Sequence, residues 1–373
     1  MASPAPRTRR PAGFAGPILL ALGVLLAGCG EGPAPEPPEG AEPADAETDL
    51  LQPTIAVKLP EKYNTPDGMA LAPDGTIVLS CPNFNDPSHP AVMLRIDEND
   101  LVSEIIALPV HPETKRVGPL GVAIGPEGHL YVADTQADWA ETPSSRLLRV
   151  VMENGQAVRC ETLVEGFVQS NAVSIHGGQV YVTETKLKPD ATPLVSGVYR
   201  FKLADLDPAN PVQLKPAGAD PHLVTTCETQ NPDRRIGANG MGFDADGNLY
   251  YCNFGDAEIL KVTFNANGEV ASQTVFAKGG GMTSTDGIKV DPDTGDIYVA
   301  DFDGNAVHRV DGETGEVTTL ARNGNTTGAG GELDTPSEVC LRGRRLYVSN
   351  IDLPFRDNEY DAPHTISVIE LPE

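Results

Sequence analysis

Basic residues are scarce in this chain: 27 Lys and Arg stand against 53 Asp and Glu, a net charge of −26. That deficit excludes nucleic acid and anionic lipid surfaces as partners, and it concentrates cations around the protein. No Cys-x-x-Cys or His/Cys spacing is present, which excludes the common zinc sites. Beyond Cys29 the cysteines are Cys81, Cys160, Cys227, Cys252 and Cys340, an odd number. They read as buried thiols, with any disulfide pairing left open. Aromatic residues are few at 5%, with a single tryptophan.

A long membrane-spanning run is also missing. The apolar stretch PILLALGVLLA (17–27) is too short to cross a bilayer but suits a signal segment, and Arg7, Arg9 and Arg10 precede it. It ends in Leu26-Ala27-Gly28-Cys29, which resembles the bacterial lipobox. The resemblance implies cleavage before Cys29, diacylglycerol on its thiol, and an exported, membrane-anchored protein on the periplasmic or cell-surface face. Residues 1–28 carry three Arg and no acid, so removing three positive charges takes the net charge from −26 to −29. Residues 30–53 hold six Pro and seven acids with no Lys or Arg, the composition of an extended solvated tether. The expected organisation is therefore a signal peptide (1–28), a lipidated Cys and tether (29–53), and a folded region (54–373).

What fills the folded region is repetition. Six segments share one column pattern: TIVLSC (76–81), HLYVAD (129–134), QVYVTE (179–184), NLYYCN (248–253), DIYVAD (296–301) and RLYVSN (345–350). Each follows a short strand and a turn, as in GMALAPDG and GIKVDPDTG. Counted from Asp67, Leu120, Asn171, Asn239, Asp286 and Ser337, the steps are 53, 51, 68, 47 and 51 residues. A period near ~50 made of short strands is that of an all-β, six-bladed β-propeller with four strands per blade. The sixth unit lacks a fourth strand, and TIAVKLP (54–60) stands unpaired ahead of the first, so the N-terminal strand is expected to close the ring. Tyr131, Tyr181, Tyr250, Tyr298 and Tyr347 share one column, which reads as packing between blades.

The residues that open the units start the innermost strands, so they gather around the axis at one end. Four of the six are Asp or Asn. Asp-Gly and Asn-Gly pairs are often only turn formers, as at Asp74-Gly75 and Asp246-Gly247. Here they precede buried strands instead. Two carboxylates ~5 Å apart repel by roughly 3 kcal/mol at an effective dielectric near 20. A divalent cation cancels that repulsion, and donors that are all oxygen favour calcium or magnesium over zinc.

The whole folded region resembles the calcium-dependent six-bladed propellers of the senescence marker protein/gluconolactonase family, with paraoxonase and diisopropylfluorophosphatase as distant kin. The resemblance is carried by SNAVSIHGGQVYVTE (170–184), GANGMGFDADGNLYY (237–251) and STDGIKVDPDTGDIYVADF (284–302). It implies that Asp67, Asn171, Asn239 and Asp286 hold a catalytic calcium, with magnesium or manganese as alternatives. The chain departs from its kin at two places. Leu120 stands where the arylesterase-type members carry His, and Phe167-Val168-Gln169 offers no counterpart to the gluconolactonase-type Arg.

A replacement acid or base must come from the same face. The second strands end there, which places Cys81, Asp134, Glu184, Asn253, Asp301 and Asn350 in an outer ring. Asp286 is expected to act as a ligand that also relays a proton, with Glu184, Asp134 or Asp301 as the second acid or base. His89, His111 and His364 fall in nearby loops and read as solvated. Segments 82–90, 135–144, 185–196 and 351–364 are long enough to roof a small substrate. Two classes of function follow: a calcium-dependent hydrolase of lactone- or ester-like small molecules, or a ligand- or protein-binding propeller with a structural ion.

Overall fold

The computed structural model describes residues 50–216, 219–356 and 358–372. The signal segment, Cys29 and the tether as far as Asp49 lie outside these residues. Among the described residues no helix is long and apolar enough to cross a membrane. Helix is limited there to two short 3-10 turns, Leu203–Asp205 and Phe254–Asp256.

Strands form six sheets arranged as a propeller. The innermost strands, in chain order, are Met69–Leu71, Gly118–Ile124, Ser170–His176, Ala238–Phe243, Ile288–Val290 and Pro336–Arg342. Each touches the next, and the last touches the first, so the ring closes. Closure uses the two ends of the chain. Thr54–Lys58 pairs antiparallel with Thr365–Glu370, from Thr54 opposite Val368 to Lys58 opposite Thr365, as the outer strand of blade six. The expected six blades and N-terminal closure are both present.

The period-2 alternation of the second strands explains why the blades stack. In Leu130–Thr135, Leu130 and Val132 pack toward blade one, while Tyr131 and Ala133 pack toward blade three. Tyr181, Tyr250, Tyr298 and Tyr347 likewise face the following blade, all buried. The tyrosine column is packing.

Two features were not in the pattern. The long step of 68 residues contains Val212–Gln213, which adds a parallel fifth strand to the outer edge of blade two and covers part of it. The folded region also takes in a residue ahead of 54: Leu51 donates its N–H to Leu320 O at 2.7 Å and packs against the cluster between blades five and six. All five described cysteines are free thiols, four of them buried and Cys160 half-buried.

Candidate metal centre and its cavity

Asp67, Leu120, Asn171, Asn239 and Asp286, from five blades, line one cavity of about 490 Å³ at the axis. Backbone pairing fixes two of them. Asp67 donates its N–H to Ser80 O (3.0 Å), and Ser80 N–H returns to Gly68 O (2.9 Å). Asp286 N–H donates to Ala300 O (2.8 Å), and Ala300 N–H to Gly287 O (2.9 Å). The glycines that follow Asn239 and Asp286 are not turns. Gly240 N–H donates to Asp286 O across the blade boundary (3.1 Å), and Gly287 N–H to Ser337 O (2.8 Å). A Cβ on Gly240 would collide with Asp286 O, and one on Gly287 with the Glu338 carboxylate. Glycine here lets neighbouring innermost strands approach closely. The ordinary turn reading holds for Gly75 and Gly247, which have φ of 85° and 80°.

The floor of the cavity is strongly acidic. Burial pushes Asp67 up to about 6, against a hydrogen bond from Ser337. Asp286 is pushed well above the carboxylate range by burial, then by the charges of Asp67 and Glu338, with a hydrogen bond from Asn239 opposing. No Lys, Arg or His is among the described residues that line this cavity. On its floor two carboxylates and two carboxamides thus stand with no cationic side chain in the lining to balance them. That donor set fits a hard divalent cation held by Asp67, Asn171, Asn239 and Asp286.

Glu338 was missed from the sequence. It follows Ser337 at the blade-six opening, where the other five units have Gly or Ala, and that odd residue was the available signal. Glu338 and Lys289 line a second axial cavity of about 350 Å³ formed by the innermost strands of all six blades. Burial pushes Glu338 up to about 8, with Asp67 adding to the shift and Val339 N–H and Lys289 opposing it.

The walls correct another expectation. Asp134, Glu184 and Asp301 do not line the cavity. They are buried beside it, and their oxygens hold the segments that lead into the innermost strands. Asp134 accepts Gly118 N–H (2.8 Å) and is paired with Arg146 (2.6 Å). Burial raises it, and Arg146 acts against the rise. Glu184 accepts the N–H groups of Val168 and Gln169, both at 2.7 Å, yet burial still pushes it up to about 7. Asp301 accepts Thr283 and Ser284 N–H (both 2.8 Å) and meets His308 Nε2 at 3.1 Å. Burial pushes Asp301 upward, but His308 and these donors prevail and hold it below its ordinary value. Asn350 accepts Asp334 N–H at 3.0 Å in the same manner. In blades two, three, five and six the polar strand end anchors the entry to the blade.

Aromatic rings make the walls instead: Phe84, Trp139, Phe254, Phe302 and Phe355, joined by Ile236, Ile351 and Leu353. Phe84 and Trp139 centroids lie 5.8 Å apart, and Phe302 lies 5.9 Å from Phe355. Segments 82–90, 135–144 and 351–364 supply lining residues, whereas 185–196 does not. Gln169 faces the cavity with its Oε1 buried and free of hydrogen bonds, and Asp138 is an exposed carboxylate on the rim. His111 and His364 are buried rather than solvated.

Comparison with known proteins agrees with this fold. Residues 219–329 match the family model described as SMP-30/Gluconolactonase/LRE-like region. That stretch contains Asn239 and Asp286, and the resemblance read from the sequence stands. A calcium-binding protein, regucalcin, from Agrobacterium tumefaciens is 14% identical with a TM-score of 0.57, over 87% of this chain and 96% of that one. A luciferin-regenerating enzyme is 14% identical with a TM-score of 0.56, over 85% and 95%. The PQQ-bound aldose sugar dehydrogenase of Streptomyces coelicolor is 17% identical with a TM-score of 0.56, over 86% and 97%. At these identities the likeness shows the fold. No curated protein matches the chain.

Proposed function

Starting from a gluconolactonase-like propeller with an acidic, uncompensated cavity floor, we propose a calcium-dependent hydrolase of lactone- or ester-like small molecules. The observation that carries this reading is the charge imbalance: Asp67 and Asp286 face a cavity lined by no cationic side chain. Asp67, Asn171, Asn239 and Asp286 would hold the ion, with magnesium or manganese as alternatives. When bound, a divalent cation polarises a carbonyl, stabilises an oxyanion and lowers the pKa of water. The protein's own contribution is shape and polarity. Phe84, Trp139, Phe254, Phe302 and Phe355 bury an apolar substrate body and exclude water. Gln169 and Asn85 offer the polar contacts that orient it. Asp286, whose carboxyl is raised in the ion-free protein by burial and by the charges of Asp67 and Glu338, is the ligand that would also relay a proton. Glu184 and Asp301 act through position alone, by holding the segments that carry Asn171 and Asp286, and Asp134 does the same for the segment that carries Leu120.

A panel of lactones and esters, assayed with calcium and with chelator, tests this. Calcium-dependent turnover that Asp286→Ala abolishes is the expected result. One observation favours a second reading, a binding propeller with a structural ion: the carboxylates expected as acid and base are already occupied by backbone N–H groups. Calcium binding without turnover across the panel would establish that reading instead.

We also propose, from the sequence, export and lipid anchoring through Cys29, with a small molecule rather than a nucleic acid as partner. Cys29→Ala should move the protein out of the membrane fraction, and its retention there would refute the anchor.

A further inference from the structure

Away from the axial cavity, blade six brings three carboxylates together. Asp334 leads into the innermost strand, Asp352 follows the second strand, and Asp361 lies near the far end of the 351–364 segment. Their oxygens all lie within 4.8 Å of one another. Two oxygens bound to one calcium at 2.3–2.6 Å stand at most ~5 Å apart, so this spacing suits a single ion. Asp334 and Asp352 are each only 3% exposed. Among the described residues none of the three pairs with Lys or Arg.

A second observation points to a ligand there. His364, 4% exposed, directs Nδ1 toward Asp352 Oδ2 at 4.0 Å, beyond hydrogen-bond reach, and that nitrogen has no hydrogen-bond partner. Asp334 Oδ1 and Asp361 Oδ1 are also buried atoms without a partner. Existing bonds orient the cluster but leave these atoms free: Asp352 accepts Asn358 Nδ2 (3.1 Å) and Asp361 N–H (3.1 Å). Buried polar atoms left unsatisfied are uncommon in native proteins, and several converging on one point need a common partner.

We propose that Asp334, Asp352 and Asp361 form a second divalent-cation site, which ties down the segment that roofs the axial cavity. Asp352 and Asp361 bracket the residues Leu353, Pro354 and Phe355 that line that cavity. Asp352 O also accepts Asn85 Nδ2 at 2.7 Å, so the same point is tied to the blade-one loop. An ion here fixes the roof without touching a substrate. The inference is independent of whether the axial site is catalytic.

The test uses the full chain, stripped with chelator and titrated with calcium chloride. Two ions per chain are expected. Asp286→Asn and the pair Asp334→Asn/Asp361→Asn should each lose one, and a different one. The half-exposed Asp361→Asn alone keeps the test valid if the pair fails to fold, and it should weaken one site by roughly tenfold or more. Trypsin supplies a local readout, because Arg356 is exposed on the bracketed segment. Calcium should slow cleavage after Arg356 in the wild type and in Asp286→Asn, but not in Asp361→Asn. Stoichiometry unchanged by the Asp334/Asp361 substitutions, or calcium protection that disappears in Asp286→Asn and persists in Asp361→Asn, would overturn the proposal. Failure of the lactone and ester panel would leave it standing.

Discussion

Two rings of Asp, Glu and Asn sit at the same end of this propeller and differ in one respect. The inner ring, Asp67, Asn171, Asn239 and Asp286, opens the innermost strands and faces a cavity without cations. The outer ring, Asp134, Glu184, Asp301 and Asn350, ends the second strands and accepts backbone N–H groups of the entry segments. Residue type, strand end and face are alike. What separates a ligand from an anchor is how many of its lone pairs the protein has already used. The outer ring also explains the inner one: Glu184 holds residues 168 and 169, just ahead of Asn171, and Asp301 holds 283 and 284, just ahead of Asp286.

If that contrast is right, the largest effects belong to the outer ring and fall on stability. Asp134→Ala removes the partner of Arg146, whose side chain is nearly buried, and leaves Gly118 N–H unpaired. Breaking a buried pair from one side typically costs about 3–5 kcal/mol. Urea denaturation of the calcium-free protein measures it. A loss below about 1 kcal/mol, the range of an exposed pair, would mean that Asp134 is not an anchor.

An inner-ring change should instead act through calcium and pH. Asp67, at about 6 when folded, lies above its ordinary 3.8, and Glu184, at about 7, lies above its ordinary 4.5. For both, the folded state binds a proton more tightly than the unfolded chain. Their stabilising contribution is complete below the unfolded value and is lost as pH rises through the folded one. Calcium replaces the proton only in the inner ring. At a hundredfold excess over the dissociation constant of the axial site it should therefore stabilise the wild type near neutral pH by about 2.7 kcal/mol more than Asp286→Ala. Glu184→Gln should flatten the pH dependence between about 4.5 and 7 whether calcium is present or absent. Melts with and without chelator that superimpose at every pH would remove the distinction between the rings.

Most of the architecture could be read from the chain because the same constraint recurs six times. Each second strand must load both faces, so Leu130-Tyr131-Val132 repeats as Ile297-Tyr298-Val299 and Leu346-Tyr347-Val348. The inner ring was legible for the same reason. The role of the outer ring was not, because a sequence shows that a polar residue recurs but not where its oxygens find donors. Phe84, Trp139 and Phe355 were invisible as cavity walls, since loop residues share no period. Glu338 was overlooked for the opposite reason: it breaks the small-residue column at the one position where an exception carries charge.

Leu120 offers the finest test, because it occupies an inner-ring position without an oxygen. It lines the same cavity as Asp67 and Asn171 and opens the blade that lies between theirs. Leu120→Asn keeps a side chain of four heavy atoms branched at Cγ and adds a carboxamide oxygen. Four protein donors leave a calcium ion short of the 6–8 oxygens it prefers, so a fifth should replace a water molecule. Calorimetric titration should show binding tighter by up to about tenfold, which corresponds to ~1.4 kcal/mol. The calcium-free protein should lose only about 1 kcal/mol, because the leucine borders a cavity rather than filling the core between blades. The corresponding change in the outer ring, Asn350→Asp, adds charge where the amide already donates to Thr365 and Ser367 Oγ at 2.9 and 2.8 Å. It should lower stability and leave calcium affinity at the axial site unchanged. Should Leu120→Asn fold normally and bind calcium no better than the wild type, the ion does not sit among the residues that open the innermost strands.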